Sequence, residues 1–406
     1  MNRIWLTFSL KLLVLIARFV SWAIVFAWVV GRIASDRFLW SQFLSWIPTL
    51  VPLAAALFLW FVSWQSKRHA LQVSSKREDL SPSATRKSQS RFLARLSPSA
   101  ITTTLLASWL IFVDIRVQAL VFGLGTTTSP TTIRLLCWNA TSVPVQRMAS
   151  LVREQAPDIA ILCNTPFSAS LVPIRDEMNA AAAASNKEPT TSAASSVRIN
   201  VFSRFPVLHH AVMSLGITGA KERTFTWVGG GMKHIDTGQL MCVELDTTKA
   251  LGKTTVLWVV DLPSDPDIPR ARMMREFQTA STNFAAPIMR RTADGLDRQV
   301  PPDQRTEVLE RLQHPDIIAG DFNTTRDSAS LAHFLKTLGS FEHAKNQSIG
   351  TGGIGWDCTY PRTLPLLHID HVFIGESSLM QATSYSTFDP LMGRHAAQFV
   401  ELHLPK

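Results

Sequence analysis

Apolar positions fall in two regimes along the chain. Before residue 125 they form three long stretches almost free of charge, Ile4 to Val30, Phe38 to Trp64 and Ala100 to Leu124. Each offers the roughly 20 residues that a bilayer-spanning helix needs, so three spans are expected. The first carries Lys11 and Arg18 and the third carries Asp114 and Arg116, charges that lipid tolerates only when they snorkel or pair. The second is the cleanest, and Trp60 and Trp64 suit an interfacial belt. A second apolar stretch follows the first after a brief Gly31-Arg32…Arg37 connection, which favours a retained hairpin over a cleaved signal peptide.

Beyond a Thr/Ser/Pro linker at Thr126 to Thr132, the apolar residues come in short runs bounded by turn residues. Ile133 to Trp138 reads as a buried strand, Val145 to Gln155 has helical spacing and stops before Pro157, and Asp158 to Cys163 reads as a second buried strand. Ala180 to Ser196 is rich in Ala, Ser and Thr and reads as a mobile insertion, with a possible helical turn at its start. Strands are expected at Val197 to Ser203, Val207 to Met213, Gln239 to Leu245 and Thr254 to Asp261, with Gly229-Gly230-Gly231 as a hairpin turn. Helices are expected at Pro269 to Ala280, Thr306 to Gln313 and Ser328 to Leu338, with a buried strand at Asp316 to Ala319 between the last two. Three strands close the chain at Leu367 to Ile374, Leu379 to Tyr385 and Ala397 to Leu404. Strands interleaved with helices throughout predict an α/β class, a layered sandwich with mixed sheets.

Composition, at 46% hydrophobic and 17% charged residues, excludes global disorder and fibrous repeats. The formal charge of +9 is local. Residues 1 to 124 hold 14 Lys/Arg against 4 Asp/Glu, which leaves 26 against 27 for residues 125 to 406, a globular part close to neutral. That argues against a general nucleic-acid binder, whose basic excess belongs on the domain that grips phosphates. Two regions are expected, a membrane region at 1–124 and a globular domain at 125–406. Between the second and third stretches (65–98), Lys67, Arg68, Lys76, Arg77, Arg86, Lys87, Arg91 and Arg95 face only Glu78 and Asp79. By the positive-inside rule that loop is cytoplasmic, and three spans then set residues 125 to 406 on the outer side of a cell membrane. Such a loop also binds anionic lipid. Cys137, Cys163, Cys242 and Cys358 lie far apart with no zinc spacing; the first two end buried runs, where packing explains them.

Polar groups recur where buried strands end: Asn139 after Trp138, Asn164 after Cys163, and Asp321 with Asn323 after Gly320. One such residue is a turn or a helix cap. Repetition at successive strand ends is how α/β folds build sites.

The motifs Cys137-Trp138-Asn139, Pro157-Asp158-Ile159-Ala160-Ile161-Leu162 and Gly320-Asp321-Phe322-Asn323-Thr324 come in this order. Thr359-Tyr360-Pro361, Ile369-Asp370-His371 and a late His395 follow. From about residue 131 to 404 the chain resembles the endonuclease/exonuclease/phosphatase superfamily of DNases, abasic-site nucleases, inositol-phosphate phosphatases and neutral sphingomyelinases. Its Thr-Tyr-Pro…Ile-Asp-His run looks like membrane-anchored bacterial members. The resemblance implies a four-layer sandwich, two mixed sheets flanked by helices, that hydrolyses phosphate esters. It implies that Asp321 orients or deprotonates a water, that Asn139 and Asn323 hold water and phosphate oxygens, and that His395 meets the phosphate as imidazolium with Asp370 on its other nitrogen. Mg²⁺ or Mn²⁺ is the implied cofactor, and a lipid head group or other small phosphorylated molecule, at a lipid bilayer, the expected substrate.

Three positions depart from the family pattern. Asn164 stands where the principal metal-binding Glu is expected, Arg394 stands where an Asp precedes the late His, and Asp261 replaces a His or Tyr. An Asn carbonyl brings no charge to a hard cation. The three changes together add two positive charges, the charge of one divalent cation. On that count Arg394 takes the role of a missing metal and holds the phosphate by its planar fork, which makes the reaction metal-independent. The alternative is a retained fold that binds a phosphorylated ligand or a partner protein without turnover.

Overall fold

The computed structural model describes residues 2–78, 98–117, 132–165, 171–184, 191–227, 230–292, 294–348 and 355–404. The Thr/Ser/Pro linker and most of the basic loop fall outside them. The chain divides into two units, residues 1–35 with 40–116, and residues 36–39 with 117–406.

The first unit is helical: α1 (Asn2–Ala34), α2 (Leu39–Ser45), α3 (Leu50–Glu78) and α4 (Pro98–Trp109), the last continued by a π-helical turn at Leu110–Asp114. Lys11–Ala34 is long and apolar enough to cross a membrane, or to serve as a signal sequence. Only 17% of its most apolar window is buried, unlike a core helix, and Phe19, Phe26 and Ile33 are among its exposed side chains. The second expected span is broken: Leu39–Ser45 meets Leu50–Ser66 at a 66° bend. The third expected span, Ala100 to Leu124, is described only to residue 117, where Pro98–Asp114 is a shorter apolar helix; the rest of it lies outside the described residues. Gly31 marks one tight approach, since a Cβ there would lie 2.4 Å from the backbone of Leu44. Val25, Trp28, Ala55, Ala56 and Leu106 form a small core, and Arg18 donates to the Ser66 hydroxyl at 3.2 Å.

The second unit carries strands β1 (Thr132–Asn139), β2 (Ile159–Cys163), β3 (Ser192–Ser195), β4 (Ile199–Ser203), β5 (Val207–Ser214), β6 (Glu222–Trp227), β7 (Gly230–Ile235) and β8 (Gln239–Leu245). They continue with β9 (Thr255–Asp261), β10 (Ile288–Arg291), β11 (Asp297–Gln299), β12 (Ile317–Asp321), β13 (Phe341–His343), β14 (Asp370–Gly375), β15 (Gln381–Phe388) and β16 (Ala397–His403). Its longer helices are α5 (Val145–Gln155), α6 (Val172–Ala184), α7 (Arg270–Thr282), α8 (Pro302–Leu312) and α9 (Ala329–Leu338).

One sheet has the order β15-β16-β1-β2-β4-β3 and the other β11-β10-β5-β8-β9-β12-β14-β13, with β6 and β7 as a separate hairpin. Each large sheet is mixed, parallel at β1/β2 in the first and at β9/β12 in the second. Side chains alternate across a strand, so Leu135 and Cys137 of β1 face the inter-sheet core with Ile161, Val243, Val259, Ala319 and Val372. Leu136 and Trp138 face outward, beneath Met148 of α5 and Ile174 and Met178 of α6. On the far side Trp258 lies under Phe277 of α7, which stacks on Phe334 of α9 at 4.4 Å. The result is four layers, helix, sheet, sheet, helix, as the motifs implied.

Of the segment read as a mobile insertion, Ala180 to Ala184 form the end of helix α6, in which Ile174, Met178 and Ala182 are buried four residues apart, and Ser192–Ser195 is an edge strand on β4; residues 185–190 lie outside the described set. The triple-glycine hairpin is present, pairing Trp227 with Gly230, although residues 228–229 at its tip lie outside the described set. The first three cysteines are buried, and all four are free thiols.

Candidate active site at the strand rim

Sheet register gathers the site. Strands β1, β2, β9 and β12 end at Asn139, Cys163, Asp261 and Asp321, and the antiparallel partner of β12 begins there, pairing Asp321 with Asp370. In the same ladder Asp321 pairs with Asp261. His395 precedes β16, whose Gln398 pairs with Cys137 of β1. Gly320 is required by this closeness: with φ at +132°, a Cβ would lie 2.0 Å from the Val260 carbonyl oxygen.

Asn139, Asp321, Asp370 and His395, all buried, form one connected group. Asn139 Nδ2 donates to Asp321 Oδ2 at 2.7 Å, and its Oδ1 accepts from the Thr141 hydroxyl at 2.6 Å, which sets the amide orientation. His395 Nδ1 lies 2.8 Å from Asp370 Oδ2. Burial pulls the His395 imidazolium down, but the charge and hydrogen bond of Asp370, with help from Asp321 and Asp261, outweigh it and push the group up to about 9. His395 Nε2 therefore carries a proton and faces Asn139 Nδ2, another donor, at 3.4 Å. Two donors thus lie side by side, next to the Asp321 carboxylate that accepts from one of them.

The carboxyl of Asp321 is pushed up by burial and by the negative charge of Asp370, with His395 opposing. Its Oδ1 accepts the Asn323 backbone N–H at 2.8 Å, an Asx turn that holds Asn323 at φ +47°. Asn323 Nδ2 donates to the Leu262 carbonyl at 2.7 Å, so this amide ties two rim loops together. The Thr-Tyr-Pro motif braces the histidine. The Thr359 carbonyl accepts from Ala396 N at 2.8 Å, its hydroxyl accepts from Asp370 N at 3.3 Å, and the Tyr360 ring lies 4.9 Å from that of His395.

The opposite corner joins Asn164 and Asp261 to Arg198 and Asp236, which strand ends alone did not reveal. Asn164, at φ +54°, accepts on Oδ1 from Arg198 Nε at 3.1 Å and Nη2 at 2.8 Å, while its Nδ2 donates to Asp261 Oδ1 at 3.0 Å. A donor-only neighbour on one side and an acceptor-only neighbour on the other leave a single orientation for that amide. Arg198 Nη2 lies 2.8 Å from Asp261 Oδ2, and Nη1 is paired with Asp236. Burial lifts Asp261 to about 7 against the pull of Arg198. Burial lowers Arg198, but the charges of Asp261 and Asp236 raise it further. Arg394, the arginine singled out from sequence, is exposed beside His395.

The order and spacing of these motifs match the model of the Endonuclease/Exonuclease/phosphatase family over residues 138–391, more than half of the chain. The chain belongs to this family. The matched segment includes Asn139, Asn164, Asp261, Asp321, Asn323 and Asp370 and stops four residues short of His395. No curated protein matches the chain significantly. Among solved structures it is similar to the endonuclease/exonuclease/phosphatase from Bacteroides vulgatus, at 12% identity and TM-score 0.41, covering 68% of this chain and 100% of that one. It is also similar to the human Nocturnin catalytic domain with bound sulfate anion, at 13% identity and TM-score 0.44, covering 68% and 95%. TDP2 from C. elegans is similar at 12% identity and TM-score 0.38, covering 74% and 84%.

Members of this family commonly use divalent metals, and among the described residues two groups have ligand atoms within 4.8 Å of one another. Asp321, Asp370 and His395 form one; a metal there would have to displace the proton that His395 shares with Asp370. His343, His368 and His371 form the other, behind the rim. Burial and neighbouring imidazoles hold His343 and His371 well below their ordinary range, so both are neutral. The rings of His368 and His371 stack at 14°, which points their in-plane lone pairs past each other rather than to one ion. At Asn164, where the family pattern expects the metal-binding Glu, the carbonyl is already taken by Arg198 and the nearby carboxylate Asp261 is paired with it. That corner does not fit a divalent cation.

Proposed function

We propose that residues 132–404 hydrolyse phosphate esters by attack of water at phosphorus, on a domain tethered to a membrane by the N-terminal helices. The observation that carries this reading is the buried group of Asp321, Asn139, Asp370 and His395 at one rim. Asp321, whose carboxyl burial and the charge of Asp370 push up to about 8, accepts the proton of the attacking water when ionised. The new P–O bond forms to that water as the bond to the leaving oxygen breaks. His395 Nε2–H and Asn139 Nδ2 donate to the phosphoryl oxygens as their negative charge grows, and Asp370 keeps the imidazole charged and oriented. A divalent ion held by Asp321 and Asp370 would supply Lewis-acid charge, and none of these roles depends on it.

The neutral globular unit favours a phosphorylated head group or small molecule over nucleic acid. Apolar side chains exposed along Lys11–Ala34 and on Phe58, Trp60 and Phe61 support a bilayer around the helical unit. The basic stretch near residues 67–95 supports a cytoplasmic loop, and with it a multi-pass topology that sets the globular unit outside.

The test is hydrolysis of bis(p-nitrophenyl) phosphate by the full chain in detergent, with Mg²⁺, with Mn²⁺ and in EDTA. Turnover that Asp321→Ala and His395→Ala abolish is the expected result. Absence of turnover under every condition would favour the second reading, a member that binds a phosphorylated ligand or partner, toward which the Asn164 and Arg198 corner points. Protease added to intact cells distinguishes the two sides: cleavage of the globular unit is expected, and protection would reverse the topology.

A further inference from the structure

We infer that Arg198 is a built-in cation which occupies the place of a divalent metal and keeps this corner of the rim closed to one. Three independent features of the structure meet here. First, the guanidinium is bound from three directions by oxygen atoms, the carbonyl of Asn164 and the carboxylates of Asp261 and Asp236. Two carboxylates and an amide oxygen converging on one point are a donor set for a hard cation; the cation they hold is an arginine side chain. Second, the backbone delivers it there. Arg198 immediately precedes β4, whose Ile199 pairs with Cys163 at the end of β2, and the Arg198 carbonyl accepts from Asn164 N at 2.6 Å. Third, the substitution at 164 complements it. A glutamate would pair with Arg198 and be neutralised, whereas asparagine bonds Arg198 through oxygen and Asp261 through nitrogen, satisfying both neighbours.

The guanidinium differs from an ion in ways that matter. It is covalently attached, does not exchange and stays charged at any physiological pH. It makes three hydrogen bonds, from Nε and Nη2 to Asn164 and from Nη1 to Asp236, and a further ion pair with Asp261. Arg198 is thus a positioning residue: it balances Asp261, which burial alone would neutralise, and fixes Asn164 beside the reacting half of the rim. This inference concerns ion occupancy and stands whether or not the rim turns over a phosphate ester.

The experiment is thermal unfolding of the full chain in detergent, with MnCl₂ as the probe, for the wild type, Arg198→Ala and Arg198→Gln. Removing the guanidinium leaves Asp261, Asp236 and the Asn164 oxygen around an empty volume of suitable chemistry. Arg198→Ala should unfold at a lower temperature than the wild type, and Mn²⁺ should raise its midpoint by several degrees more than it raises that of the wild type. Guanidinium ion at millimolar concentration should rescue the same variant. Should Arg198→Ala fail to fold, Arg198→Gln loses the charge while keeping an amide donor for Asn164, and it carries the same prediction. Electron paramagnetic resonance of bound Mn²⁺ gives the second readout, one more ion in the variant than in the wild type. Equal stabilisation of wild type and variant by Mn²⁺ would overturn the inference, as would a folded variant that takes up no ion. Loss of a wild-type Mn²⁺ signal on Asn164→Ala would overturn it as well.

Discussion

The two halves of the rim use the same residue types to opposite ends. Around His395, an Asp, an Asn and an imidazolium bring two donor nitrogens within 3.4 Å of each other beside a carboxylate. Around Arg198, two Asp residues and an Asn leave the cation enclosed by acceptors. One half sets donors side by side; the other pairs its donors with acceptors. A site's chemistry therefore follows from which hydrogen bonds are left unmade, not from its inventory of charged residues.

Removing the reactive half should have the largest effect. Asp321→Ala or His395→Ala should lower kcat/KM about 10³-fold or more, the loss of a base or an oxyanion donor costing on the order of 4 kcal/mol. A loss of under tenfold in either variant would mean the open half is not where the chemistry happens. Gly320→Ala tests the frame shared by both halves. A Cβ 2.0 Å from the Val260 carbonyl oxygen forces β9 and β12 apart, which should cost about 3 kcal/mol by urea denaturation; a change below about 1 kcal/mol would show that the two strands move independently.

The protonation of His395 sharpens the contrast further. Its folded value is raised to about 9, so the imidazolium is present below that pH and is lost as pH rises through it. The kcat/KM profile should fall above pH 9, about tenfold per unit. Asp370→Asn should bring that fall down toward about 6.5, the ordinary range of histidine. A profile indifferent to Asp370→Asn would separate the pair from catalysis. The smallest effect is expected at Arg394, whose exposed charge should be worth about 0.5–1 kcal/mol, seen as a few-fold rise in KM with kcat retained. A thousand-fold loss there would return to Arg394 the role that Arg198 holds in the structure.

Most of the frame was legible from local pattern. The buried runs ending at Asn139, Cys163 and Asp321 are strands, the helices at 145–155 and 329–338 fall where periodicity places them, and Asp370 does meet His395. The misses share a cause. Polar residues were sought where strands end, but in a mixed sheet the antiparallel neighbours begin at that same rim. Arg198 just before β4 and Asp236 between β7 and β8 are brought to the site by pairings of Ile199 with Cys163 and of Gln239 with Asp261. Neither register is visible from residues 197–203 or 236–245 read alone. In the helical unit, apolar length predicted three crossings; one helix is long enough by itself, the second stretch is bent by 66° after α2, and the third runs on past the described residues.

The chain by itself determined most strands and helices of the globular unit, the family, and the carboxylate, amide and imidazole that meet at one rim, because alternation, helical spacing and contiguous motifs are local properties. It also declared the departures at Asn164 and Arg394. Only the tertiary structure decided which arginine answers them. A guanidinium reaches wherever register places its backbone, and register is settled by the packing of two whole sheets rather than by any one strand.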